Sequence, residues 1–315
     1  MDIPAFILSS DSARLGRDTR ALSRRAAAGE LRRIRRGVYV QSSDWDRLPS
    51  WAKYPVLVQA AASTLHSRTV FCRKSSAALW DLPVLGRPQL VHACTTDEGG
   101  GRSGAGVVRH YVDPRSLEIE ERRGLLVTSR LRTVLDLAAF EAFEQATAAL
   151  DHVLRPQQGL PAFSRTELHA GIRDNYSAAA ARRIRTAIDF ADPASESPGE
   201  SVSRALMHRL GFKPATLQAE VRDAHGRVGF TDFEWRDERL CGEFDGLVKY
   251  QKPEYLQGRT PSQVVIDEKL REDRIRATGR RVIRWTCTEI SGPARFEAFL
   301  TAERVPRLIR PACRP

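Results

Sequence analysis

Past residue 199 the apolar pattern switches between strand and helix periods, and the order of those switches leaves few folds open. The spacing predicts a helix over 199–210, strands over 217–223, 228–235 and 238–245, a long helix over 261–278, a strand over 281–287 and a closing helix over 293–302. Strands and helices in that order give an α/β (mixed) fold, with a central mixed sheet flanked by helices. The third strand lies in LCGEFDGLVKY at 240–250 and carries Glu243 and Asp245 two positions apart. Side chains two apart on a strand point the same way, so these like charges repel unless a cation lies between them. A metal ion is the simplest such partner.

Upstream, ADPASESPG at 191–199 is small, polar and proline-containing, as a domain linker is. With 315 residues and 42% hydrophobic content, the chain has room for more than one core. The expected domains are 1–50, 51–190 and 200–315. Within the middle region periodicity predicts helices over 52–66, 75–80 and 129–154 and strands over 90–94 and 107–111. The glycine-rich DEGGGRSGAG at 97–106 lacks the GK[ST] ending of a phosphate loop and reads as a flexible hairpin connection.

The net charge of +11 is partly concentrated near the start: nine arginines lie between Arg14 and Arg36, against Asp18 and Glu30. Such a cluster fits a polyanion. Asp18 and Thr19 are good caps for a helix running to about Ala28, with Gly29 as its stop and Leu22 and Ala26 as its inner stripe. LRRIRRGVYV then reads as two short strands around Arg35-Arg36-Gly37, with Leu31, Ile34, Val38 and Val40 pointing inward. A winged helix-turn-helix results, and its expected DNA contacts are Arg17, Arg20, Arg24, Arg25, Arg32, Arg33, Arg35 and Arg36. A solvated arginine-rich helix with no partner is the alternative.

Other classes are excluded by composition. Five scattered cysteines without a CxxC pair argue against a disulfide framework or a structural zinc site, and the seven histidines show no HExxH spacing. MDIPAFILSS lacks the basic start of a signal peptide, and the apolar stretches are too short and interrupted to span a bilayer. The expectation is a cytoplasmic protein with no membrane partner.

The acids Glu200, Asp232, Glu243 and Asp245 carry the candidate chemistry. A hairpin at 236–238 sets Asp232 beside Glu243, and hard oxygen ligands of this kind suit Mg²⁺ or Mn²⁺. The runs ESVSRALMHRLGF, VGFTDFEWRDERLCGEFDG and DEKLREDRIRATGRRVIRWT resemble the PD-(D/E)XK nuclease fold, in its branch related to very short patch repair endonucleases. RALSRRAAAGELRRIRRGVYV, KSSAALWDLPVLG and LLVTSRLRTVLDLAAF are similar to AbiEi-type antitoxin-like proteins, which join a winged helix to such a domain. The resemblance implies that Glu200 is the helical acid and that Asp232 and Glu243 hold the metal. The family motif calls for Glu-x-Lys, but this chain has Glu-Phe-Asp, so Lys249, with Lys269 second, is the residue left to stabilise charge on the phosphate. Pairing of Glu243 and Asp245 with Arg271, Arg274 or Lys249 is the metal-free alternative. Most of the 261–278 helix reads as an ion-paired solvated surface, and Trp235 and Trp285 read as core.

Two functions follow as expectations. One is a DNA-binding protein whose C-terminal domain is a Mg²⁺-dependent deoxyribonuclease. The other is an antitoxin-type transcriptional regulator, with a cognate toxin as partner, whose nuclease-like domain is catalytically degenerate. DNA and RNA substrates are not separated by these residues.

Overall fold

The computed structural model describes residues 3–16, 18–65, 68–87, 89–98, 103–157, 159–246 and 261–308. The chain divides into two compact units, Met1–Gln145 with Arg165–Thr186, and Ala146–Ser164 with Ala187–Pro315. The first forty residues and most of the middle region thus fall in one unit.

That unit begins with β1 (Ile7–Leu8), α1 (Ser9–Arg14), α2 (Thr19–Ala27), β2 (Leu31–Arg35) and β3 (Val38–Gln41). The strands form an antiparallel sheet in the order β1-β3-β2. Asp18 caps α2 by accepting the Arg20 N–H at 2.8 Å, and the helix buries Leu22 against Leu31 and Tyr39. Gly37, at φ +78°, makes the reversal between β2 and β3 that a side chain would strain. The predicted helix and hairpin are therefore present, and β1 is an added strand that pairs with β3.

There follow α3 (Ser42–Arg47), α4 (Ser50–Ala62), β4 (Val70–Phe71), α5 (Arg73–Leu79), β5 (Val91–Thr95), β6 (Val107–Tyr111), β7 (Ile119–Arg122), β8 (Leu125–Thr128) and α6 (Arg130–Phe140). The five strands order as β6-β5-β4-β8-β7. β5 and β6 run parallel, so they are not joined as the expected hairpin. The single helix expected over 129–154 is two, α6 and α7 (Phe143–Val153). Glu141 causes the break: its backbone is extended, its carboxylate pairs with Lys74 at 2.8 Å and its carbonyl accepts from Arg183 at 2.5 Å. These are tertiary contacts that local propensity does not encode. α8 (Arg165–Ala170) and α9 (Ala178–Phe190) complete the upstream elements.

The second unit holds α10 (Pro198–Arg209), β9 (Thr216–Asp223), β10 (Gly226–Trp235), β11 (Leu240–Asp245), α11 (Pro261–Ala277), β12 (Arg281–Thr286) and α12 (Pro293–Ala302), close to the predicted ranges. Its sheet runs β12-β11-β10-β9, antiparallel except for the parallel pair β11 and β12. One face is aromatic: Trp285 packs 5.2 Å from Phe233 and 5.7 Å from Phe296, and its indole N–H donates to Ser203 of α10 at 2.8 Å. The other face packs Cys241, Val221 and Val282 on Ile275 of α11. The stretch expected as a linker, 191–199, is packed: Ala191 and Ser195 are buried, and the Asp192 N–H donates to buried Asp151 at 2.7 Å. Among the described residues no helix is long and apolar enough to cross a membrane.

Candidate functional site

The arginine-rich head separates its cations into groups. Arg24 pairs with Asp18 at 2.9 Å, Arg25 with Glu30 at 2.8 Å and Arg32 with Asp46 at 3.4 Å, all on exposed side chains. The Arg20 N–H and the Arg24 guanidinium hold the Asp18 carboxyl below its ordinary range. Arg20 on α2, Arg33 on β2 and Arg36 at the turn are exposed and form no ion pair among the described residues. Arg33 sits opposite Tyr39, on the sheet face that Leu31 and Tyr39 present to α2. Arg35 departs from the expected set, because it is half-buried and donates to the Ala105 carbonyl at 3.2 Å. Arg17 lies outside the described residues.

In the second unit the cation between Glu243 and Asp245 is an arginine. Register places Arg284 of β12 directly beside Glu243 of β11, and parallel partners project to the same side. The Arg284 guanidinium reaches Glu243 at 2.7 Å, Asp245 at 3.2 Å, Glu268 at 2.6 Å and Glu272 at 2.8 Å. Arg271 holds the other Glu243 oxygen at 2.5 Å and Glu268 at 2.9 Å, and donates to the Phe230 carbonyl. Arg276 adds a contact to Glu272 at 2.7 Å. Burial pushes the Glu243 carboxyl up, against the pull of Arg271 and Arg284. Burial also acts to raise Glu268, but hydrogen bonds from the same two guanidiniums outweigh it and hold that carboxyl at about 2.

The metal-free pairing anticipated for Glu243 and Asp245 is thus present, with different partners. Arg271 takes part, Arg274 pairs instead with Asp223 at 2.8 Å, and the central cation, Arg284, was not anticipated. Its signal was a charged residue inside the apolar strand RVIRWT. The inner side of α11, expected as solvated surface, supplies half-buried Glu268, Arg271 and Glu272 to this network.

Glu200 and Asp232 meet elsewhere. Gly199 lets the start of α10 come down on β11, since a Cβ there would lie 1.9 Å from the Phe244 ring. Glu200 is then buried at the third position of α10, where its carboxylate accepts from the Glu196 N–H and the Ser197 hydroxyl, both at 2.7 Å. Ser197 in turn accepts the Glu200 N–H at 3.2 Å, and Pro198 starts the helix. Ser-x-x-Glu is a capping box, so helix capping accounts for the burial of Glu200 without catalysis. Asp232 accepts the Phe244 N–H at 2.8 Å. Between them Gln218, at φ +45°, aims its amide at Glu200 at 3.4 Å and Asp232 at 3.5 Å, the outer limit of hydrogen bonding. A left-handed backbone costs a non-glycine residue about 1–3 kcal/mol and concentrates at functional sites.

The expected convergence of Glu200, Asp232 and Glu243 on one cation is not what the side chains do. Glu243 has both oxygens on guanidiniums, and Asp232 spends one on a backbone N–H. Among the described residues no group of three potential ligands could hold a metal ion. The side chains therefore do not fit Mg²⁺ or Mn²⁺ in this arrangement. Lys249 lies outside the described residues, and Lys269 is exposed on α11.

Comparison with known proteins bears on the N-terminal head. Residues 6–40, which run from β1 into β3, match the family described as "Transcriptional regulator, AbiEi antitoxin". Over 138 residues the chain is also 28% identical to two Mycobacterium tuberculosis sequences, uncharacterized proteins MT2308 and Rv2248, covering 44% of this chain and 49% of each relative. The chain spans about half the length of these curated relatives.

Proposed function

We propose that the chain is a DNA-binding transcriptional regulator of the antitoxin type, acting with a cognate toxin in the cytoplasm, and that its second unit binds without cutting. The observation that carries this is the placement of Arg20, Arg33 and Arg36, exposed and without ion pairs among the described residues, on one winged-helix scaffold. A helix and a wing carrying such cations suit a groove and its flanking phosphates. In the second unit the charges close on one another, which leaves Glu243 no free oxygen for a metal.

The test is footprinting on the protein's own promoter over a salt series. Each phosphate contact contributes about 0.9 to the slope of log K against log[salt] on duplex DNA. Arg20→Ala, Arg33→Ala and Arg36→Ala should each lower that slope by about 0.9, while Asp232→Ala leaves it unchanged. A salt-insensitive footprint, or none, rejects the proposal. The nuclease reading keeps one supporting observation, the approach of Glu200 and Asp232 to Gln218. Cleavage of DNA or RNA by wild type with Mg²⁺ or Mn²⁺, abolished in Asp232→Ala, would establish it instead.

A further inference from the structure

Arg35 belongs by sequence to the arginine face and by structure to something else. β2 pairs regularly with β3 as far as Arg33 opposite Tyr39, but the next pair is Arg35 opposite Val38, so Ile34 is an extra residue in the ladder. A bulge of this kind re-aims the side chains beyond it, because strand residues alternate between faces. Arg33 stays with Tyr39 on the α2 side. Arg35 moves to the side of Val38 and Val40, both fully buried, on the other face from Arg33.

There its guanidinium donates to the carbonyl of Ala105, at 3.2 Å. Its Nε is buried without a hydrogen-bond partner among the described residues, and burial lowers its pKa. Ala105, at φ +50°, occupies the turn closed by mutual hydrogen bonds between Gly104 and Val107 at 3.0 Å. Gly106 of that turn accepts the Val91 N–H at 2.8 Å, which anchors the turn to the first residue of β5. A continuous path therefore runs from the wing, through Arg35 and the 104–107 turn, into the five-stranded sheet.

We infer that Arg35 is a positioning residue that clamps the β2–β3 wing to the 104–107 turn, so that the middle sheet sets where Arg33 and Arg36 meet nucleic acid. This rests on the regulator reading for its DNA arm and not for its structural arm. In free full-length protein, Arg35→Ala should speed amide hydrogen exchange at Gly104, Val107 and Val38, and Arg35→Lys, which keeps a donor, should restore much of the protection. On duplex DNA, Arg35→Ala should weaken binding several-fold with an unchanged salt slope, whereas Arg36→Ala lowers the slope by about 0.9. A slope that falls by that amount in Arg35→Ala makes Arg35 a phosphate contact and overturns the clamp. Unchanged exchange in Arg35→Ala overturns it equally. If wild type fails to bind DNA, the regulator reading fails alone, because the exchange measurement decides the clamp without DNA.

Discussion

Two regions of this chain are rich in arginine and use it in opposite ways. On the N-terminal head nine arginines lie between Arg14 and Arg36, and the pairs they form with Asp11, Asp18, Glu30 and Asp46 are exposed. Around β11, the four carboxylates of Glu243, Asp245, Glu268 and Glu272 meet Arg271, Arg276 and Arg284, largely out of solvent. Excess charge on an exposed surface reaches outward for a polyanion. Charge matched nearly one to one under a helix is satisfied internally and reaches for nothing. What an arginine does is therefore decided by whether a carboxylate already neutralises it, and by how much water surrounds the pair.

The sharpest way to break that contrast is to make the same substitution in both places. Arg284→Ala leaves buried Glu243 held by Arg271 alone and removes the contacts to Asp245, Glu268 and Glu272, and breaking a buried pair in this way costs about 3–5 kcal/mol. Arg36→Ala should leave the unfolding free energy within about 0.5 kcal/mol and change only nucleic-acid binding. Urea unfolding of both variants decides it. Equal stabilities would mean that the β11 network is not structural, and the metal-binding role for Glu243 would regain its footing.

Helix capping gives the next effect. Glu200→Ala removes the acceptor of the Glu196 N–H and the Ser197 hydroxyl, and lost caps cost about 1 kcal/mol, with a range of roughly 0.5–2. If Glu200 served a catalytic site and not the helix start, its replacement should leave stability unchanged or raise it, since buried acids at such sites are costly.

The elements of the second unit were legible because strand-period and helix-period runs follow one another there, and a proline opens each of α10, α11 and α12. The role of its acids was only half legible. That Glu243 and Asp245 share a face and need a cation follows from residue spacing alone. That the cation is Arg284 depends on the parallel register of β11 with β12, which no local pattern encodes. Glu200 was within reach, since Ser197-Pro198-Gly199-Glu200 spells a capping box. Arg35 was not: its direction hangs on one extra residue in a five-residue strand. The break at Glu141 was hidden too, because Lys74 and Arg183, distant in sequence, impose it.

Acidity separates the regions further. Within the first unit, His92 Nδ1 and His110 Nε2 lie 2.9 Å apart in stacked rings. Burial lowers both, with Arg73 adding to the effect, and His110 falls to about 4. A histidine whose folded pKa is depressed binds fewer protons folded than unfolded, so its contribution to stability is lost as pH falls from about 6.5 toward 4. In the β11 network Glu268, held at about 2, loses its contribution only as pH falls below the ordinary carboxylate range. Acid titration of unfolding should therefore show the first unit weakening before the second, and His110→Gln should flatten the upper limb alone. The same limb in both proteins would remove the histidine pair as its cause.

The smallest expected effect is also the most direct probe of neutralisation. Glu30 holds Arg25 at 2.8 Å with both side chains about half exposed, at 57% and 43%. An exposed pair of this kind is worth about 0.2–1 kcal/mol, so Glu30→Gln should scarcely move the melting temperature. For nucleic-acid binding the same substitution removes a nearby anion and frees a cation that otherwise must leave its partner to reach a phosphate. The pair energy bounds the gain: affinity for duplex DNA should rise by up to about fivefold. Salt dependence steepens only if Arg25 joins the interface, so the slope separates a new contact from simple relief of repulsion. No gain in affinity would mean that Arg25 points away from the nucleic acid, and the working face would shrink to Arg20, Arg33 and Arg36.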